Sequence, residues 1–168
     1  MAKGAVRVLN TSLMRRLATV FFALVIALGQ PPTAAGQSRE LQRRLQAAKI
    51  VDCAFSQVAT VEWDSGAPQA KAAPAERVAH FHDIDIDGGT AESGSDYGDS
   101  FISVRYSSGY LHFMQISDVG PLWITTVLAM ESENGRMKAV HTRLEYAATT
   151  LPGFATRPEM YFGDCEVM

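Results

Sequence analysis

From residue 100 onward, apolar and polar positions alternate in short runs with a period of two. In SFISVRYS (100–107), Ile102, Val104 and Tyr106 share one face, and in YLHFMQIS (110–117) Leu111 and Phe113 do. LWITTVLAME (122–131), RMKAVHTRLEYA (136–147) and EMYFGDCEVM (159–168) continue the series. Ser108-Gly109, the Asp118/Gly120/Pro121 cluster and SENG (132–135) punctuate it as turns. Upstream, CAFSQVATVEW (53–63) is rich in β-branched and aromatic residues, and RVAHFHDIDI (77–86) reads as a strand stopping at Asp87-Gly88-Gly89. DSGAPQAKAAPAE (64–76), AESGSDYGD (91–99) and TTLPGFATRP (149–158) read as loops and turns. One stretch has a helical period: Ser38 caps SRELQRRLQAAKIV, where Leu41, Leu45 and Ala48 recur at i, i+4 and i+7. The pattern predicts a mainly β protein, an antiparallel up-and-down meander of about 7–8 strands closed as a small barrel or packed as a sandwich. One short amphipathic helix over 37–51 precedes a single β-rich domain over 52–168.

The first 36 residues change the compartment rather than the fold. Lys3, Arg7, Arg15 and Arg16 precede an apolar run of 12 residues, Leu17 to Leu28, and then GQPPTAAGQ. A basic region, a short apolar region and small residues at 35–36 predict a cleaved signal peptide over 1–36. The run is shorter than the roughly 20 residues a spanning helix needs, so no stable membrane insertion is expected after cleavage. All 18 acidic and 11 of the 15 basic residues follow Gly36, leaving that part a formal charge of −7. That charge disfavours nucleic acid and anionic membranes as partners. The cysteines, Cys53 and Cys165, read as a disulfide in an oxidising compartment; free thiols are the alternative.

Two stretches carry candidate chemistry. In HFHDIDIDGG (80–89), strict alternation would put His80 and His82 on one face with Ile84 and Ile86, and Phe81, Asp83, Asp85 and Asp87 on the other. His80, His82 and Asp85 are therefore weak metal candidates, and the glutamate that a calcium loop needs at position 12 falls on Gly94. Asp85 is expected to bond turn backbone instead. In AVHTRLEY (139–146), Ala139, His141, Arg143 and Glu145 share a face opposite Val140, Thr142, Leu144 and Tyr146. Such a row could line a ligand cavity, with Arg143 binding a carboxylate or phosphate and His141 responding to pH. It could equally be a solvent face bearing a weak Arg143–Glu145 pair. Neither a nucleophile elbow nor a phosphate loop or dinucleotide fingerprint is present, and no cofactor is implied.

The order of these motifs resembles a family of small secreted bacterial proteins of uncharacterised function. Ile50, Cys53, Phe55, Trp63 and Asp64 match its opening pattern; Phe81, Ile84 and Asp85 match Phe-Asp-x-Ile-Asp; Gly89, Thr90 and Ala91 match Gly-Thr-Ala. Ile124 to Val127 match Ile-Thr-Thr-Val, Ala139, Val140, His141 and Arg143 match Ala-Val-His-Ser-Arg-His, and Pro158, Tyr161, Gly163 and Cys165 match the closing motif. This chain departs at His82, Thr142, Leu144 and Glu159-Met160. The resemblance covers 48–167 and implies a compact secreted β-domain with linked terminal cysteines. The expectation is a periplasmic or secreted, non-enzymatic binding protein of the cell envelope, with His141, Arg143 and Tyr161 binding a small ligand. The alternatives are a protein–protein module, such as an inhibitor of an envelope enzyme, and last a metal-dependent enzyme.

Overall fold

A computed structural model describes residues 34–64, 66–94, 100–116, 121–145, 149 and 156–168. The chain divides into two units, Met1–Gln37 and Ser38–Met168. The expected signal peptide lies almost wholly outside the described residues. Helix α1 spans Ala34–Gln46. Eight strands follow: β1 Val51–Asp64, β2 Ala67–Asp85, β3 Thr90–Ser93, β4 Ser100–Ser107, β5 Tyr110–Ile116, β6 Leu122–Glu131, β7 Met137–Leu144 and β8 Glu159–Val167. Each pairs antiparallel with its neighbour in sequence, and β1 pairs with β8, so one sheet closes as a ring. The meander follows from the alternating runs and tight turns read in the sequence.

Alternation decides what fills the ring. Val51, Cys53, Phe55, Ile102, Val104, Leu111, Phe113, Val127, Met137, Ala139 and Cys165 are buried inside. Phe81 and Phe113 stack there with ring centroids 4.1 Å apart. Leu41 and Leu45 of α1, with Ala48, join the same core and cover one end. Past the helix, the backbone N–H groups of Lys49 and Ile50 donate to the Met168 carbonyl, at 2.7 and 3.1 Å. The Lys49 ammonium donates to the Ile84 carbonyl at 3.1 Å. The helix-covered end is thereby tied to the last residue of the chain.

The disulfide Cys53–Cys165 forms across the β1–β8 seam, where the two residues lie directly opposite in register. It locks the first strand to the last. Two residues further along, β1 bulges between Phe55 and Gln57 against β8. Gly163 answers the bulge: a Cβ there would lie 2.0 Å from the Ala54 carbonyl oxygen, so only glycine fits. The β4–β5 turn needs left-handed backbone at two positions, with φ 49° at Ser108 and 88° at Gly109.

Three expectations are corrected. The segment 64–76 is not a loop; 67–76 is the first half of β2, laddered from Gln57↔Pro74 to Asp64↔Ala67. Pro68 and Pro74 are tolerated because, among the described residues, β3 pairs with β2 only from Phe81 to Asp85. The acidic turn beginning at Ala91 contains strand β3, since 90–93 pair with both β2 and β4. Finally, alternation fails in HFHDIDID. The ladder shifts between His82 and Asp85, and Asp83 has φ 50°. Phe81 and Ile84 consequently both point into the core, while His80 and His82 face outward, away from Ile84.

Candidate functional site

At the end of the ring opposite α1, the interior turns polar. The register sets two rows across the wall. Trp123, Arg143 and Glu159 are paired neighbours in one, and Thr125, His141 and Tyr161 in the next. Glu145 follows Arg143 just past β7 and is buried. Arg77, opposite Phe55 on β1, brings its guanidinium over the Tyr161 ring at 5.3 Å. The expected site residues His141, Arg143 and Tyr161 thus do come together, facing inward.

His141 is 5 % exposed. Its ring packs against Phe55 at 5.6 Å and Tyr161 at 5.8 Å. Its Nδ1 is hydrogen-bonded with the Thr125 hydroxyl at 2.8 Å. Burial, and then the positive charges of Arg77 and Arg143, push its pKa down to about 3. The imidazole is therefore neutral at physiological pH. The expectation of a pH-responsive histidine is corrected on this physical ground: a cation there would be both desolvated and repelled.

Arg143 does not wait for an anion. Its Nε donates to Glu145 Oε2 at 2.6 Å, and its Nη1 lies 4.0 Å from Glu159 Oε2. Glu145 is buried and the Arg143 side chain is only 12 % exposed, so the pair is not the weak surface pair considered from sequence. Tyr161 donates its hydroxyl to Glu159 Oε2 at 2.8 Å. Burial first, and then this bond to a carboxylate, raise the Tyr161 pKa. Two arginines and two glutamates balance in charge, so the site as a whole selects neither an anion nor a cation.

Among the described residues, four buried atoms of this region meet no hydrogen-bond partner: Arg77 Nε, Trp123 Nε1, His141 Nε2 and Glu145 Oε1. Buried polar atoms are normally satisfied, and each left unpaired costs about 1–3 kcal/mol. Phe55 and Arg77 also line a groove of about 540 Å³, bordered by Ala54, Ser56, Glu76, Val78, Gly163 and Asp164. It lies beside the β1 bulge on the outside of the ring, where Ala54, Ser56, Glu76 and Val78 are exposed.

Trp123, Thr125, Arg77 and Glu159 were missed as site residues. The sequence held a signal for two of them, since alternation in LWITTV puts Trp123 and Thr125 on the face of Val127. Arg77 and Glu159 needed the closed register.

Of the weak metal candidates, His80 and His82 stay neighbours, their ring centroids 5.4 Å apart. Asp85 accepts the Gly88 backbone N–H at 2.9 Å, as expected for a turn-bonding aspartate. His80 bonds Asp52 across the β1–β2 ladder. The bulge brings His82 to Asp83, at 3.0 Å, and ladder pairing brings it to Glu92. Donor atoms of His82, Asp83 and Glu92 lie within 4.8 Å of one another on the outer surface. That arrangement differs from the triad considered from sequence. Comparison of the chain with protein-family models, curated proteins and solved structures finds no match.

Proposed function

We propose that this chain is exported and acts as a non-enzymatic binding protein of the cell envelope, periplasmic or secreted. Its ligand would be a small neutral molecule carrying both hydrogen-bond donors and acceptors, held at the polar end of the ring. The carrying observation is the set of unpartnered buried atoms: the Trp123 and Arg77 N–H groups ask for acceptors, and Glu145 Oε1 asks for a donor. The balanced Arg and Glu charges favour a hydroxyl- or amide-bearing ligand over a free phosphate or amine.

A base with a pKa near 3 has little driving force for proton abstraction at neutral pH, which supports binding over acid–base chemistry at His141. The disulfide supports export, since such bonds persist in oxidising compartments. The signal-like N-terminus and the resemblance to small secreted bacterial proteins belong to the same proposal.

The test uses the Trp123 indole N–H as a reporter. The chain has two tryptophans, and Trp63 is exposed, so Trp63 is the internal control. The exported protein, labelled with nitrogen-15, is titrated with neutral monosaccharides, polyols and N-acetylated amino-acid amides. Binding should shift the Trp123 indole resonance and leave that of Trp63 in place. Trp123→Phe, which removes an N–H bonded to no protein atom, should weaken binding about tenfold without lowering the melting temperature. Shifts confined to Trp63, or binding unchanged in Trp123→Phe, would refute the site.

A further inference from the structure

We infer that the outer face of β5–β8 is the contact surface between two copies of this chain. The inside of the ring is a packed core, yet much of the outside of these four strands is apolar as well, its charged positions Lys138, Asp164 and Glu166 lying toward the Met137 end of β7. In register, Ile116, Leu122 and Leu144 make one row, and Met114, Ile124, Thr142 and Met160 the next. His112, Thr126, Val140 and Phe162 make a third. None of these positions carries a carboxylate, ammonium or guanidinium. Ile116 is 74 % exposed, Leu144 46 %, and Met160 and Phe162 41 % each.

Area and charge select the occupant. A large side chain exposes roughly 150–250 Å² when free, so with Tyr110 this face offers on the order of 500 Å² before its half-buried members are counted. A standard interface takes ~800 Å² from each partner, and monomers rarely show apolar patches beyond a few hundred Å². Two of the polar groups on the face satisfy each other: His112 Nδ1 is hydrogen-bonded with the Thr126 hydroxyl at 3.0 Å. Covering them strands neither atom. The chain after Gly36 carries a charge of −7, so two copies repel except where a face is uncharged, as here. The same charge disfavours an anionic membrane. Pairing through a strand edge is the competing route, and the described open edge of β2 bears Pro68, Lys71 and Pro74, which block edge addition. Two copies of these uncharged rows, with the sheets stacked about 10 Å apart, are the geometry that remains.

Sedimentation equilibrium of the exported protein tests this. The expected result is a dimer at micromolar concentration. Phe162→Glu and, separately, Ile116→Glu should each weaken association at least tenfold, with far-ultraviolet circular dichroism unchanged. Val78→Glu, a charge added at an exposed position on β2, should leave it intact. Ile116 is the more exposed of the two, so its variant stands if Phe162→Glu does not fold. A wild-type protein monomeric at about 100 µM overturns the inference. So does a dimer indifferent to both substitutions, or a monomer that binds phosphatidylcholine vesicles through this face.

Discussion

Acidification from pH 7 to pH 5 should destabilise this protein through His141, and the size of the effect follows from the site. In the unfolded chain the imidazole titrates near its usual value of about 6.5. In the fold, burial and two guanidinium groups hold its pKa at about 3. Below pH 6.5 the unfolded state therefore takes up a proton that the folded state refuses. Stability is fully present above the unfolded pKa and is lost as pH falls toward the folded one. The slope approaches ~1.4 kcal/mol per pH unit, so the change between pH 7 and pH 5 comes to about 2 kcal/mol. Urea unfolding of the oxidised protein at both pH values measures it, with His141→Gln as reference. Other titrating groups are common to both proteins and cancel in the difference. The variant should be less stable at pH 7 but lose about 2 kcal/mol less on acidification. A double difference under about 0.5 kcal/mol, or a His141 imidazole resonance titrating near pH 6.5, would refute the buried neutral histidine.

Three further outcomes can be measured on the same protein. Replacing Cys53 and Cys165 together by alanine should cost about 5 kcal/mol in urea unfolding, the loop-closure entropy of 112 residues. Arg143→Ala should cost about 3 kcal/mol because it strands the Glu145 carboxylate, and Arg143→Met combined with Glu145→Gln should recover more than half of that. An unchanged melting temperature for Arg143→Ala would mean the pair is solvated. Gly163→Ala should cost about 3 kcal/mol, because its methyl carbon meets the backbone of the β1 bulge, whereas Gly135→Ala, which meets nothing within 4 Å but has φ 78°, should cost less.

The chain's own pattern was sufficient for seven of the strands, the meander, the helix and the inward faces of β4 and β5. Those are local properties: a period of two, or of 3.6, needs no knowledge of a partner. It was also sufficient to place His141, Arg143 and Glu145 on one face and to pair Cys53 with Cys165. It failed where a neighbouring strand overrules local preference. The Ala/Pro-rich 67–76 extends because β1 offers it a ladder, and the four residues of β3 exist only between β2 and β4. The bulge at Asp83 redirects every later side chain of β2, which no alternation rule anticipates. The polar site follows the same division. Its histidine and arginine were legible in β7, but their chemistry was set by residues far away in sequence. Thr125 holds the imidazole, burial and then Arg77 keep it neutral, and Glu145 and Glu159 occupy the arginine. Side-chain identity and face are written along one strand; charge state and free valence depend on what ring closure brings opposite.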